Sequence, residues 1–230
     1  MTLLGLVNRV RQECQVSGIQ NLTTVQGATG QTLDFVNWIN AAWQDIQETK
    51  SDWNFMRANF TFNTNTSTPT QSYSPTDAGI NATFCNWKKD SCRIYSVTLG
   101  LPNEMILPWI TYDEFRNLWI YGAQRTNYQR PVMFTTDPGK NFLLGGIPDI
   151  SGYSVNGEYF TLPTVLSADT DTPTMPTQYH MLIVYRAMEH YGMAEAAPEV
   201  LSRGQRESTK MLARLTIDQL PVLGFGLPLA

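Results

Sequence analysis

Residues 179–196, YHMLIVYRAMEHYGMAEA, decide the fold class. Leu182, Ile183, Val184, Ala187, Met188 and Tyr191 make this stretch apolar nearly all round, and no proline interrupts it. A helix of that kind must be enclosed by other elements. It is therefore expected to be the central helix of a helical core, entered after Pro173 and Pro176, which suit a helix start. Working outward, Pro198 opens a last helix that runs to about residue 217. Leu201, Gly204, Ser208, Met211, Leu212 and Leu215 line one of its faces, and Arg203, Arg206, Lys210 and Arg214 line another. Two N-terminal helices complete the set. Residues 2–16 place Leu4, Val7, Val10, Arg11 and Cys14 at three-and-four spacing, with Thr2 as cap. Residues 33–50 put Val36, Ile39, Trp43 and Ile46 on one stripe with Phe35, Trp38 and Ala42 beside it, a face wide enough for packing on two sides.

Between these helices the period changes. From Phe55 to about Thr172 the groups Phe60/Phe62, Ile94/Tyr95/Val97/Leu99 and Val155/Tyr159/Phe160 predict short strands, separated by turns such as Asp137-Pro-Gly. Residues 61–76 form a charge-free tract of Thr, Asn, Ser and Pro, expected as a long loop or exposed hairpin. A short helical segment is expected at 112–121. The sequence thus predicts an α+β fold. An antiparallel helical bundle of about four helices is drawn from residues 1–54 and 173–217, with a β-rich insert at 55–172 and an extended C-terminal arm at 218–230.

That arm is chemically unusual. Residues 219–230, QLPVLGFGLPLA, carry no charge, and Pro221, Gly224, Gly226 and Pro228 forbid a regular helix and argue against a central strand. Leu220, Val222, Leu223, Phe225, Leu227 and Leu229 are too apolar for a solvated tail. An apolar extended arm needs a groove, either on its own domain or on another subunit.

Composition bounds the function. At 230 residues and 42% hydrophobic, the chain can bury one sizeable core, or a core and a smaller subdomain. A net charge of −4 and a pI near 5.2 argue against a basic clamp on nucleic acid. No apolar run approaches the ~18 residues of a membrane helix. The N-terminal MTLLGLVNRVRQECQ lacks a basic leader region and turns amphipathic at once, so it is not read as a signal peptide. Cys14, Cys85 and Cys92 are an odd count without a CxxC, which fits synthesis in a reducing cytoplasm.

Catalytic, cofactor and metal residues are assigned nowhere, and the chain is expected to be non-enzymatic. His180 and His190 lie ten residues apart on one predicted helix, about 80° apart in direction and about 15 Å along the axis. They cannot share a metal and read as ordinary histidines. Asp169 and Asp171 resemble half of a calcium loop but lack its Gly and distal Glu, so they read as a turn before Pro173. Gly224-Phe-Gly226 is followed by no helix and is no dinucleotide fingerprint. Cys85 and Cys92 lack a neighbouring His to activate a thiolate. Trp38, Trp43, Trp53, Trp87, Trp109 and Trp119 would form a sugar-stacking platform if exposed, but at helical spacing Trp38 and Trp43 read as core. The cations of the last helix read either as a solvated face or as a docking face for an acidic partner.

The residues also carry a resemblance. Asp34-Phe-Val-Asn-Trp-Ile-Asn-Ala-Ala-Trp-Gln-Asp-Ile-Gln, followed by Asp52-Trp-Asn-Phe-Met-Arg57, resembles the second helix of tailed-bacteriophage head-to-tail adaptor proteins. Tyr112-Asp-Glu-Phe-Arg116, Tyr121-Gly-Ala-Gln-Arg125, Arg130-Pro-Val-Met-Phe134, Gly157-Glu-Tyr-Phe160, Met175-Pro-Thr-Gln-Tyr-His180, Val184-Tyr-Arg-Ala-Met188 and Tyr191-Gly192 are similar in the same order. The resemblance spans roughly residues 2–215. It implies a virion structural protein of the neck, made in the host cytoplasm. Such a protein forms a ring of typically twelve subunits between the portal and the tail or next neck protein. It implies genomic DNA passing through the channel without sequence-specific binding, no membrane, and a C-terminal arm docked on the portal. The alternative reading is a carbohydrate- or receptor-binding virion module; a hydrolase is the weakest.

Overall fold

The computed structural model describes residues 1–16, 21–65, 71–80, 83–149 and 152–220. The described α-helices are α1 (Leu3–Glu13), α2 (Gln31–Thr49), α3 (Tyr112–Phe115), α4 (His180–Ala194) and α5 (Pro198–Gln219). The strands are β1 (Arg57–Asn63), β2 (Ser72–Tyr73), β3 (Phe84–Trp87), β4 (Arg93–Ser96), β5 (Met105–Ile106), β6 (Met133–Thr136), β7 (Phe142–Gly145) and β8 (Tyr153–Thr161). Helices and antiparallel sheets are segregated, as an α+β fold requires. The chain divides into two compact units, Met1–Met56 with Pro163–Ala230, and Arg57–Leu162.

In the helical unit, α4 packs against α1, α2 and α5. Leu182, Ile183, Val184, Ala187 and Met188 are all fully buried, which is why the stretch is apolar on so many faces. Helix α1 starts where the Thr2 hydroxyl accepts from the Gly5 amide at 3.2 Å. Its buried set is Leu3, Leu6, Val7, Val10 and Cys14, one residue round from the stripe read through Leu4 and Arg11. Helix α2 buries Phe35, Ile39, Ala42, Trp43 and Ile46, yet Asp34, Asn37, Asp45 and Glu48 opposite them are exposed. It is therefore packed over one broad face, with Val36 and Trp38 half-buried at its margins.

Side-chain amides lace the helices to the loops. Asn8 Oδ1 accepts from the Leu22 amide at 2.8 Å while its Nδ2 donates to the Leu22 carbonyl at 3.1 Å. Asn40 treats Leu166 the same way (2.9 and 3.0 Å), and so does Gln47 with Thr164 (2.9 and 3.0 Å). Asn40 and Gln47 stand two turns apart on α2, so together they clasp the segment that returns to this unit. Each amide satisfies both polar groups of a loop residue that would otherwise compete for water.

The second unit is built on two sheets. One runs β1-β8-β4-β5, with β3 also on β8; the other runs β2-β7-β6. Phe60, Phe62, Trp87, Phe134 and Phe142 fill the core, with Phe134 stacked on Phe142 at 4.5 Å between centroids. Asn59, Thr61 and Asn63 alternate with Phe60 and Phe62 and face water, the expected period of two. Strand β4 ends at Ser96, so Val97 and Leu99 are not strand residues and lie exposed. Gly100, at φ 71°, turns the chain back there. Part of the 61–76 tract is ordered into β2, whose Tyr73 is buried against Phe62. Helix α3 is capped by a reciprocal Thr111–Glu114 box and runs on into a π-turn, Arg116–Ile120.

Helices α4 and α5 approach closely at two glycines. A Cβ on Gly192 would stand 2.8 Å from the Leu201 amide nitrogen, and one on Gly204 would stand 2.9 Å from the Tyr185 carbonyl oxygen. Gly→Ala inside a helix ordinarily gains up to about 1 kcal/mol. Here overpacking of about 1–3 kcal/mol opposes it, because backbone and not a flexible side chain must move. Gly192→Ala and Gly204→Ala are each expected to lower the free energy of unfolding in urea by about 1–2 kcal/mol. An unchanged or raised midpoint would refute this close approach.

Candidate docking surfaces

Arg203, Arg206, Lys210 and Arg214 are all exposed on α5, opposite the buried Gly204, Ser208 and Leu215. The face is largely self-neutralised. Arg203 Nη2 sits 2.5 Å from Glu13 Oε2 of α1, and Glu207 lies between Arg206 (3.0 Å) and Lys210 (3.1 Å). Hydrogen bonds from Lys210 and Arg206 hold the Glu207 carboxyl below the usual carboxylate range. Among the described residues, Arg214 makes no ion pair. Within the α4–α5 contact, the Ser208 hydroxyl donates to Glu189 Oε1 at 2.5 Å, and Arg186 lies 3.6 Å from the same carboxylate.

Of the predicted arm, Leu220 is half-buried against the helical core just beyond α5. Pro221, Val222, Leu223, Phe225, Leu227 and Leu229 lie outside the described residues.

The Asp169/Asp171 turn has a structural task. Asp169 accepts from the Thr24 hydroxyl (2.6 Å) and the Val25 amide (2.8 Å). Asp171 accepts from the Ser167 (2.7 Å) and Ala168 (2.8 Å) amides. The carbonyls of both aspartates receive the Leu4 and Leu3 amides at the start of α1. These bonds, the Thr24 hydroxyl foremost for Asp169 and the Ala168 amide for Asp171, keep both carboxyls ionised below their ordinary range. No group of three or more His, Cys, Asp or Glu among the described residues is placed to hold a metal ion.

His180 is buried with Nε2 2.9 Å from the Met175 carbonyl, and His190 Nε2 lies 3.9 Å from an Asp45 carboxylate oxygen. Cys14 and Cys92 are buried, and burial pushes both thiols up to about 12, far from thiolate chemistry at neutral pH. Trp43, Trp53, Trp87 and Trp119 are buried, so they offer no stacking platform to a sugar. The β-rich unit has a groove of about 440 Å³ over its outer sheet face, lined by Asn59, Thr61, Lys88, Arg93, Asn156 and Glu158 among others. Its cations are matched locally: Lys88 with Glu158 at 3.1 Å and Arg93 with Glu104 at 3.3 Å. The groove can offer hydrogen bonds, and the Ser91 hydroxyl in its lining donates to the Lys88 carbonyl at 2.9 Å.

An apolar edge escaped the sequence reading. Val97, Leu99, Leu101 and Ile106 are each more than half exposed around β5. Alternation drew Val97 and Leu99 into a strand, although Gly100-Leu-Pro102 already signals that the chain turns.

No helix among the described residues is long and apolar enough to cross a membrane. The family model described as SU10 adaptor protein matches residues 1–221, which take in all of the β-rich unit and all but residues 222–230 of the helical unit. No curated protein matches the chain.

Burial lowers the His180 pKa below its ordinary 6.5, so the unfolded chain takes up this proton at higher pH than the folded one. The neutral ring costs nothing above 6.5; stability is lost as pH falls below 6.5 and levels off below the folded pKa. Urea midpoints are expected to fall between about pH 7.5 and about pH 5.5, with a smaller fall in His180→Gln. Equal slopes for both proteins would remove His180 as a source of this dependence.

Proposed function

We propose a mode of action for this chain, which belongs to the SU10 adaptor family of phage head-to-tail adaptors and is a structural component of the virion neck. In this reading, copies of the chain form a ring, twelve in number as the resemblance implies. The ring docks on the portal, extends the DNA channel and joins the tail or next neck protein. The helical unit supplies the ring body, the β-rich unit meets the next neck component, and the apolar arm docks on the portal. Genomic DNA passes through without sequence-specific contacts, and the chain performs no catalysis.

The family match over residues 1–221 carries this reading. The arm supports it physically. Its apolar side chains would each contribute about 1.5–3 kcal/mol on full burial in a groove, against an ordering cost for an extended backbone. Repetition round a ring multiplies attachment when all arms reach their grooves. A mildly acidic chain also suits a conduit, because clustered cations would hold phosphates in place.

Because Leu220 packs on its own core, the informative truncation removes only residues 221–230. Native mass spectrometry of the full chain with its portal should show ring-sized masses on the portal. The truncated chain should keep its circular dichroism and melting temperature but fail to be captured. Capture of the truncated chain at full-length affinity would overturn the arm assignment, and indifference of the full chain to portal would overturn the adaptor mode.

A further inference from the structure

Helix α2 carries an acidic stripe. Leu33, Asp34, Asn37, Ala41, Gln44, Asp45 and Glu48 fall within one arc of about 120° at about 100° per residue, opposite the buried Phe35, Ile39, Ala42 and Ile46. The helix contains no Lys or Arg. Among the described residues, Asp45 meets only the His190 ring, at 3.9 Å, and Asp34 and Glu48 form no ion pair. Asp34 is favourable in the first turn. Asp45 and Glu48 stand towards the C-terminus, where unsatisfied carbonyls present partial negative charge and carboxylates are unfavourable. A cation arriving from outside the helix would relieve that.

The β-rich unit offers the counterpart. Residues 115–136 contain no acidic side chain but hold Arg116, Arg125 and Arg130. The segment passes through the π-turn Arg116–Ile120 and the 3₁₀ turn Ala123–Thr126, and it leaves Tyr121 71% and Tyr128 60% exposed. Arg116 is shared between Asp113, at 3.5 Å, and the Tyr121 ring, while Arg130 donates to the Ile94 and Asn103 carbonyls. Arg125 is exposed and makes no ion pair among the described residues. The loop is preformed. Asn127 Nδ2 donates to Gln124 and Gln129 at 3.0 and 3.1 Å, and a Cβ on Gly122 would stand 2.7 Å from the Leu118 carbonyl oxygen. Two exposed tyrosines around an unpaired arginine, on a loop with little left to order, are the composition of an interface anchor.

We infer that residues 116–130 of one copy dock on the α2 stripe of the next, with Arg125 pairing with Asp45 and Glu48 and the tyrosines covering the uncharged part of the stripe. The occupant is a second copy because charge complementarity is already present on one chain, cation on one unit and carboxylates on the other. Two unlike surfaces make a heterologous contact, the kind that propagates and closes into a ring. The inference rests on the ring reading above. DNA is a poorer occupant, since one unpaired arginine neutralises too few phosphates.

Sedimentation of the full chain over rising concentration tests it. The wild type should self-associate, less so at high salt. Arg125→Glu alone, and Asp45→Lys with Glu48→Lys, should each lower the association constant by about tenfold or more, with unchanged circular dichroism and melting no lower than wild type. Mixing the two variants should restore association, because every loop then faces a stripe of opposite charge only in an alternating assembly. Wild-type association in either variant, or no restoration on mixing, would overturn this contact and leave the ring standing. A wild type that stays monomeric at low salt up to concentrations that saturate portal binding would also overturn this contact, whereas the ring reading falls only if no ring-sized mass forms on the portal.

Discussion

The enclosure of α4 is the constraint on which the helical unit depends. Its apolar residues can leave water only if α1 and α2, from one end of the chain, meet α5 from the other. The whole β-rich unit is inserted between them, between Met56 and Pro163. Closing so long an insertion costs little more than closing a shorter one, because loop entropy grows only with the logarithm of length. What must be specific is the re-entry. Gln47 and Asn40 supply that by binding both backbone groups of Thr164 and Leu166, and Asp169 then ties the following turn to Thr24 and Val25. A slip of one residue along this segment would break four amide contacts at once.

The inserted unit solves its own burial problem with aromatic rings, not with the helical core. Phe142 makes ring contacts with Phe60, Phe62, Trp87 and Phe134, so two small sheets with short strands still share one dense centre. Charge divides in the same way. The helical unit carries the entire net charge of −4, and the residues of the β-rich unit balance to zero. Each unit thus has a surface chemistry of its own.

The parts of the fold written in local periodicity were legible. The apolar run of α4, Pro198 at the start of α5, the Thr2 cap and the alternation of Phe60 with Phe62 all depend on near neighbours in sequence, and the structure has them. Elements that need a distant partner were not. Asn8, Asn40 and Gln47 read as polar positions beside apolar stripes, and nothing local says that each will clasp a loop backbone. The cations of α5 are visible as a face, but the neutralisation of Arg203 by Glu13 requires α1 to lie alongside. The exposed faces of α2 and of residues 121–128 show a related bias. Periodicity marks what a helix buries and says nothing of the partners of the residues it leaves outside, Asp45 and Glu48 among them.

That outer face bears on how the proposed ring would be made. A surface that binds its own copy about a two-fold axis stops at a dimer. A chain that builds larger rings must carry two different complementary surfaces, and folding alone gives no reason for either. In α2 the carboxylates of Asp45 and Glu48 sit towards the end of the helix where they are least favourable, and Arg125 is held out on a preformed loop where, among the described residues, no carboxylate meets it. Those carboxylates are a small local loss for the isolated chain. At the proposed contact between successive copies they would gain a cation, and salt screening would weaken that contact before it touched the apolar core. The residues at such a contact decide whether copies join, whereas the angle between successive copies decides how many close the ring.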